Sequence, residues 1–293
     1  MQSDALIVKS NSLIRSRYDY TLAELRLVLT VASMVQADDK DFHEYSVEAK
    51  EFAELMGEST PQNTYKALKQ LGKDLLSKPL EIPTGNGFAL CNWFAWYEYQ
   101  EKEGRILCSF APKLKPHLLE LQSHFTKYNL SNILRMKSTY AIRLYELAKS
   151  WEDTGWFIVG VEDFKATMGC KDSYPLYADL KRKVINRAIK EINELTDIEI
   201  LCNEKKTGRK VTGLDFRVRA KYTPPKLIRE GIEMNEEQFE KFVISLDSTV
   251  IDQKDFKKGV MNLADYHGVK IDTEILAKLK KALADYRKKN SLF

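Results

Sequence analysis

Cysteine and histidine are scarce in this chain. Of 293 residues, four are cysteine and four are histidine. Cys91, Cys108, Cys170 and Cys202 stand apart, with no C-x-x-C and no neighbouring histidine. That spacing argues against a zinc site or a disulfide framework and leaves reduced, semi-buried thiols. His43, His117, His124 and His267 form no H-x-H, H-x-x-x-H or H-E-x-x-H pair. Metal-dependent hydrolysis, or nicking through a His-hydrophobe-His metal site, therefore lacks its ligands. There is no G-x-x-x-x-G-K-[ST], no G-x-G-x-x-G and no G-x-S-x-G. The sequence predicts no catalytic residue, no metal and no cofactor. Long apolar runs are missing too. The most apolar window, Leu25 to Val35, is broken by Arg26 and falls well short of the ~20 residues a membrane span needs. The start, Met1-Gln2-Ser3-Asp4, has no basic segment leading into an apolar one. A cytoplasmic protein without a membrane partner is expected.

What is present is a balanced, soluble-type composition: 46 Lys+Arg, 42 Asp+Glu and 44% hydrophobic residues. The length suggests two domains with an appendage. A net charge of +4 decides nothing by itself, but its distribution is uneven. Residues 1–126 carry 14 basic and 17 acidic groups, residues 127–223 carry 19 and 13, and residues 224–293 carry 13 and 12. The basic excess lies in the middle segment. These three segments are the expected domains.

The chain also repeats itself. Phe52, Met56, Gly57, Tyr65, Leu68 and Lys69 recur at a constant offset as Phe164, Met168, Gly169, Tyr177, Leu180 and Lys181. The period is domain-sized, which reads as a duplicated domain rather than a solenoid. Each copy has the same order of predicted elements. A helix comes first, Thr21–Gln36 or Asn132–Trp151, with apolar residues at three- and four-residue steps. A short extended piece follows, Phe42–Tyr45 or Trp156–Val159. Then comes a short helix, Val47–Met56 or Glu162–Met168, closed by a glycine suited to a left-handed C′ position, Gly57 or Gly169. A third helix follows, Gln62–Ser77 or Leu176–Leu195. Two strands close each copy: Phe88–Tyr99 with Arg105–Phe110, and Asp197–Asn203 with Val211–Ala220, the latter turning at Thr207-Gly208. The fold class is α+β. Its architecture is two tandem winged-helix domains, each a helix-turn-helix with a β-hairpin, followed by a C-terminal helical extension. In such a domain the second helix of the pair lies in the DNA major groove.

Helical wheels test that expectation. With Leu180 at the centre of the apolar face, Tyr177, Val184, Ala188, Ile192 and Leu195 cluster beside it. Opposite lie Arg182, Lys183, Asn186, Lys190 and Asn193, with Asp179 the one acid near the centre, Arg187 toward the edge and Lys181 on the apolar side. In the first copy Tyr65, Leu68, Leu71, Gly72 and Leu75 face inward, and Asn63, Lys66, Lys69, Gln70 and Lys73 face outward. Lysine and arginine neutralise phosphates, arginine bridges guanine, and asparagine or glutamine pairs with adenine. A charged face is common on any surface helix, but two acid-poor faces at the same slot of a repeat favour DNA. Around the second hairpin turn stand Lys205, Lys206, Arg209 and Lys210, while Arg217, Arg219 and Lys221 alternate with Phe216, Val218 and Ala220. A wing over a phosphate row explains these cations; a solubilising sheet edge is the alternative. The aromatic stretch Trp93, Phe94, Trp96, Tyr97 and Tyr99 has the composition of a single-strand stacking platform, but a sheet core or dimer contact is the better reading.

The run Phe125-Thr126-Lys127-Tyr128-Asn129-Leu130, followed by Lys137-Ser138-Thr139-Tyr140-Ala141-Ile142-Arg143-Leu144-Tyr145-Glu146-Leu147, resembles the initiator replication proteins of theta-replicating plasmids (RepB/RepE type). So do Asn11-Ser12-Leu13-Ile14 ahead of Leu22-x-Glu24-x-Arg26, and Phe110 followed by Leu114, Pro116 and Leu118. The resemblance covers residues 6–222. It implies two winged-helix domains that bind directly repeated origin sites, the iterons. It further implies a monomer that initiates replication and a dimer that represses its own promoter. Recruitment of the host initiator and helicase is implied too, with no chemistry by the protein itself. By that analogy the helix with Arg182, Lys183, Asn186 and Lys190 makes the main specific contacts, and Arg143 serves the fold or the domain interface.

After Pro224-Pro225 the chain runs on for longer than the short tail the resemblance suggests. Helical segments are expected near Glu236–Ser245, Gln253–His267 and Thr273–Lys288, the last with a stripe of Leu276, Leu279, Leu283 and Tyr286. They read either as a module for partner or self-association or as a cap on the second domain. A winged-helix transcriptional regulator without a replication role is the alternative function. A nicking enzyme with a tyrosine nucleophile is disfavoured by the missing histidine motif.

Overall fold

The computed structural model describes residues 5–36, 38–56, 61–121 and 123–221, with the isolated positions 277 and 281. The chain divides into two compact units, Met1–Arg219 and Ala220–Phe293. The expected helices of residues 224–293 lie outside the described residues, apart from Ala277 and Lys281 of the last, both helical.

The first unit opens with strand β1 (Leu6–Ser10) and a single turn of helix, α1 (Asn11–Ile14). Helix α2 (Leu22–Ala32) starts where predicted, because Thr21 and Glu24 form a reciprocal capping box. Its residues from Glu24 to Ala32 are all buried. Strand β2 (Tyr45–Glu48) leads into α3 (Ala49–Met56), and α4 (Pro61–Ser77) is the second helix of the first helix-turn-helix. Leu68, Leu71 and Leu75 form its inner face, as the wheel predicts. Gly72 lies in the middle of α4 because the Tyr97 ring occupies the space a side chain there would need.

The predicted strand Phe88–Tyr99 is two strands. A hairpin of β3 (Leu80–Thr84) and β4 (Gly87–Cys91) precedes β5 (Phe94–Gln100), which pairs with β6 (Arg105–Phe110). Strand β6 is central, between β2 and β5. The aromatic stretch serves this sheet. Trp93 and Phe94 are buried, Phe94 stacks on Phe110, and the Tyr97 hydroxyl donates to the Leu68 carbonyl at 2.7 Å. Trp96 stays partly exposed.

A short helix, α5 (Lys115–Leu118), leads to β7 (Phe125–Asn129). Strand β7 pairs antiparallel with β1, Lys9 opposite Thr126. This two-stranded ribbon spans the position between residues 126 and 127 where the sequence divides into domains. The predicted helix Asn132–Trp151 is broken into α6 (Leu130–Leu134) and α7 (Thr139–Lys149). The break is held from afar. Arg26 on α2 donates to the carbonyls of Leu134 and Met136 at 2.9 and 2.7 Å, and the Glu191 carboxylate accepts from the amides of Lys137 and Ser138 at 2.8 and 3.1 Å. These partners take the backbone groups a continuous helix would pair internally.

Strand β8 (Trp156–Gly160) and α8 (Val161–Thr167) open the second winged helix. Gly169 has φ +73, the left-handed conformation expected of it, and its α-carbon faces the Tyr18 carbonyl so closely that a β-carbon would collide. Gly57 lies outside the described residues. The third helix runs from α9 (Tyr177–Leu180) through a π-helical turn over Lys181–Ile185 into α10 (Asn186–Leu195). Strands β9 (Ile198–Thr207) and β10 (Lys210–Ala220) form the hairpin, turning at Gly208 with φ +62, and β10 is central in the sheet β8-β10-β9. One continuous core joins both halves of this unit, from Ile7 through Leu144 to Val218.

Candidate nucleic-acid interface

The π-helical turn sets the orientation of the second helix. A π turn adds a residue to the helical circuit and shifts everything after it. Val184 and Ile185 are consequently both buried. Lys181, which an ideal wheel puts on the apolar side, is instead exposed and pairs with Glu204 of β9 at 2.8 Å. That pair holds the Glu204 carboxyl below its ordinary range and raises the Lys181 ammonium. The Tyr177 hydroxyl donates to the same carboxylate at 3.1 Å, so Glu204 ties the wing to the start of the helix. Tyr177 and Leu195, assigned to the core by the wheel, are only half-buried, and Asn193 lies half-buried against β9, bonded to both backbone groups of Ile200.

Arg182, Lys183, Asn186, Arg187 and Lys190 are all exposed on this helix. The acids beside them are more numerous than the wheel suggests. Arg182 and Lys183 share Asp179 at 2.8 and 3.5 Å, Arg187 meets Glu191 at 3.4 Å, and Lys190 meets Glu194 at 3.9 Å. Arg182 holds the Asp179 carboxyl below its ordinary range. Exposed pairs of this kind are weak and screened by salt, so they leave the cations able to exchange partners.

The wing cations separate by strand alternation. Glu204 faces the helix, and Lys206, two residues on, shares that face and lies 3.7 Å from it. Lys205 points to the other face, 3.3 Å from the buried Asp215. Arg209 and Lys210 are exposed beside the turn and make no ion pair among the described residues. Arg217 also reaches Asp215, at 3.2 Å, and lies over the Trp156 ring, while Arg219 pairs with Glu199. These strand cations are therefore engaged within the sheet.

On α4, Lys69, Gln70 and Lys73 are exposed, as predicted. The Gln70 amide donates to Asp74 at 2.8 Å. The side chains of Asn63 and Lys66 lie outside the described residues.

A second group of polar residues is buried, and of these sequence reasoning singled out Arg143 alone. Arg143 on α7 is 2% exposed. It donates to the Tyr18 hydroxyl at 2.5 Å, to the Ser16 carbonyl, and to the Thr167 carbonyl at 2.7 Å, with its guanidinium 4.0 Å from the Tyr18 ring centre. It thereby joins the segment before α2 to the end of α8, the interface role inferred for it. One turn further on, Glu146 pairs with Lys9 of β1 and accepts from the Tyr128 hydroxyl of β7. An arginine and a glutamate at a three-residue spacing on an otherwise apolar helix are the sequence signal for both. Among the described residues, no group of three or more His, Cys, Asp or Glu side chains is placed to hold a metal ion, and no helix is long and apolar enough to cross a membrane.

Comparison with known proteins places these elements. Residues 6–149 match the WH1 domain model of initiator replication proteins, and residues 160–218 match the corresponding WH2 model. A replication initiation protein of Escherichia coli is 23% identical over 227 residues, covering 74% of this chain and 70% of that protein. The PI protein of Escherichia coli is 25% identical over 245 residues, covering 69% and 80%. The solved structure of the Pi initiator protein in complex with iteron DNA aligns with a TM-score of 0.63 at 23% identity, over 76% of this chain and the whole of that one.

Proposed function

The chain belongs to the initiator replication protein family, and from that premise we propose that it initiates plasmid replication by binding repeated origin DNA sequence-specifically. The carrying observation is the exposed set of Arg182, Lys183, Asn186, Arg187 and Lys190 on one helix and Lys206, Arg209 and Lys210 on the wing that Glu204 ties to the start of that helix. Lys181 belongs to the same surface in a secondary role, because Glu204 engages it, whereas Lys205 is turned to the other face of the wing, over Asp215. Asn63, Lys66, Lys69, Gln70 and Lys73 supply the corresponding contacts of the first winged helix. In this reading the helix enters the major groove and the wing lies along the phosphates. The second winged helix dominates affinity, since residues 127–223 hold the basic excess.

The functional division is residues 1–126, 127–223 and 224–293: two DNA-binding domains and a helical module for partner or self-association. The protein works in the cytoplasm, opens the origin and recruits the host initiator and helicase without catalysing a reaction. As a dimer it represses its own promoter. The β3–β4 hairpin suits self-association: Phe88 and Leu90 of β4 are each 60% exposed on this two-stranded sheet.

The test is to supply the gene in trans to a plasmid carrying only the repeat array that flanks it, in a host with no other initiator. Maintenance of that plasmid supports the reading. Specific binding to the repeats without maintenance points to a transcriptional regulator instead.

A further inference from the structure

A cleft of about 420 Å³ opens where the two winged helices meet. One wall is the start of α2 around Thr21; the other carries Lys137, Ser138, Tyr174, Lys183 and Arg187. We infer that this cleft seats a backbone phosphate of the DNA segment that passes from one winged helix to the other. The inference rests on the DNA-binding reading above and adds to it a residue, Lys137, and a place.

Three observations carry it. First, three cations converge from different elements. Lys183 and Arg187 come from the helix assigned to the major groove, and Lys137 comes from the α6–α7 loop. Lys137 is exposed and makes no ion pair among the described residues. Of the neighbouring acids, Asp179 faces Lys183 at 3.5 Å, and Glu191 faces Arg187 at 3.4 Å while accepting from the Lys137 and Ser138 amides; neither forms an ion pair with the Lys137 ammonium. Second, the loop is fixed from both halves of the unit. Arg26 of α2 binds its carbonyls, Glu191 of α10 binds its amides, and Arg135 donates to the Leu195 carbonyl at 3.4 Å. The Lys137 ammonium is thus held at the seam, with the ordering of its backbone already accomplished by folding. Third, Tyr174 adopts φ +54, an unfavourable conformation for a bulky residue. That backbone sets its ring against Tyr140, with centres 6.3 Å apart, and 6.0 Å from the Lys183 ammonium. A strained residue therefore forms the wall beside the cation. Three converging cations suit the singly charged phosphodiester of a DNA backbone; they do not suit an apolar ligand.

The experiment measures binding to a duplex carrying the repeat, located by footprinting the DNA that flanks the gene, at a series of salt concentrations. Lys137→Ala is expected to fold as the wild type, because the main-chain amide, not the side chain, bonds Glu191. It should lower the slope of log K against log salt by about one, the loss of one phosphate contact, and Lys137→Arg should restore it. In a scan of single methylphosphonate replacements, the wild type should lose affinity at a phosphate between the two half-sites, and Lys137→Ala should be indifferent at that position alone. An unchanged salt slope in Lys137→Ala overturns the inference. A Lys137-dependent thermal shift by inorganic pyrophosphate, with no effect of Lys137 on the DNA slope, assigns the seat to a free phosphoanion and overturns the DNA source. Wild-type protein that prefers the repeat to mixed-sequence duplex at no salt concentration sinks the functional reading itself, before any variant is compared.

Discussion

Lys9 and Glu146 form an ion pair in which neither side chain has any solvent exposure. The ammonium lies on the first strand of the chain and the carboxylate on α7, and the Tyr128 hydroxyl shares that carboxylate from the neighbouring strand. The Lys9 ammonium is also 5.6 Å from the Trp93 ring centre. Burial pushes the Lys9 pKa below its ordinary value, against the pull of Glu146, and raises that of Tyr128. The pair is thus expensive to desolvate and justified by what it fixes: the register of the β1–β7 ribbon on α7. Buried pairs are weak sources of stability but costly to halve.

The corresponding prediction is a contrast. Lys9→Met should lose about 3–5 kcal/mol in urea unfolding, because it strands the Glu146 charge. The triple variant Lys9→Met, Tyr128→Phe, Glu146→Leu should recover most of that loss. A single variant within about 1 kcal/mol of wild type would contradict the buried ionic character of the cluster.

Gly169 offers a second contrast, with Gly208. Both have positive φ, +73 and +62. At Gly208 nothing lies within 4 Å of a built β-carbon, whereas at Gly169 the Tyr18 carbonyl blocks it. Gly208→Ala should cost about 1–2 kcal/mol, the penalty of the left-handed conformation. Gly169→Ala should cost clearly more, since the α8 end must also move away from the segment before α2. Thermal unfolding of the two variants side by side decides it; equal losses would mean the contact with Tyr18 is slack.

The contrast between what the sequence reveals and what it hides follows the range of the interactions. The Thr21–Glu24 box, the inner face Leu68, Leu71 and Leu75, and the Gly208 turn are local, and the sequence reads them. The break between α6 and α7 is invisible to periodicity: Ile133 and Met136 keep helical spacing through it, while Arg26 and Glu191, distant in sequence, take the backbone groups. The β3–β4 hairpin hides for another reason. Pro83 reads as a strand breaker, and β4, exposed from Gly87 to Leu90, lacks alternation. The cationic face was legible as a set, but an ideal wheel could not place Lys181, because its uniform step does not contain the π turn over Lys181–Ile185.

Cys108 gives a pH prediction. It sits on the central strand β6, opposite Tyr45 on one side and Tyr97 on the other, and burial, reinforced by Glu44, pushes its thiol up to about 12. The folded state then holds a proton that the unfolded chain releases from about pH 9. A raised folded value means the stabilisation is intact below pH 9 and lost as the pH climbs toward 12. Stability should fall by about 1.4 kcal/mol per pH unit from this group alone. Cys108→Ala should show a shallower alkaline decline than wild type when unfolding midpoints are compared between pH 8 and 11. Parallel curves would place the ionisation elsewhere, for instance on the buried tyrosines.

The wing allows the DNA reading to be tested at neighbouring positions. Lys206 shares the helix-facing side of β9 with Glu204, whereas Lys205 is held over Asp215 on the other face. Lys206→Ala should weaken binding to repeat and mixed-sequence duplexes alike and lower the salt slope by about one. Lys205→Ala should leave the salt slope nearly unchanged while destabilising the fold, since Asp215 is 3% exposed and loses one of its two cations. Arg182→Ala should behave differently from both, losing about 1–3 kcal/mol on the repeat and much less on mixed sequence, as expected of a residue that reads a base edge. Fluorescence anisotropy titrations across salt concentrations separate the three. If Lys205→Ala rather than Lys206→Ala flattens the salt dependence, the face of the wing assigned to DNA is the wrong one. If Arg182→Ala loses equally on both duplexes, that residue is a phosphate contact, and sequence is read elsewhere along the helix, with Asn186 next in line on the exposed face.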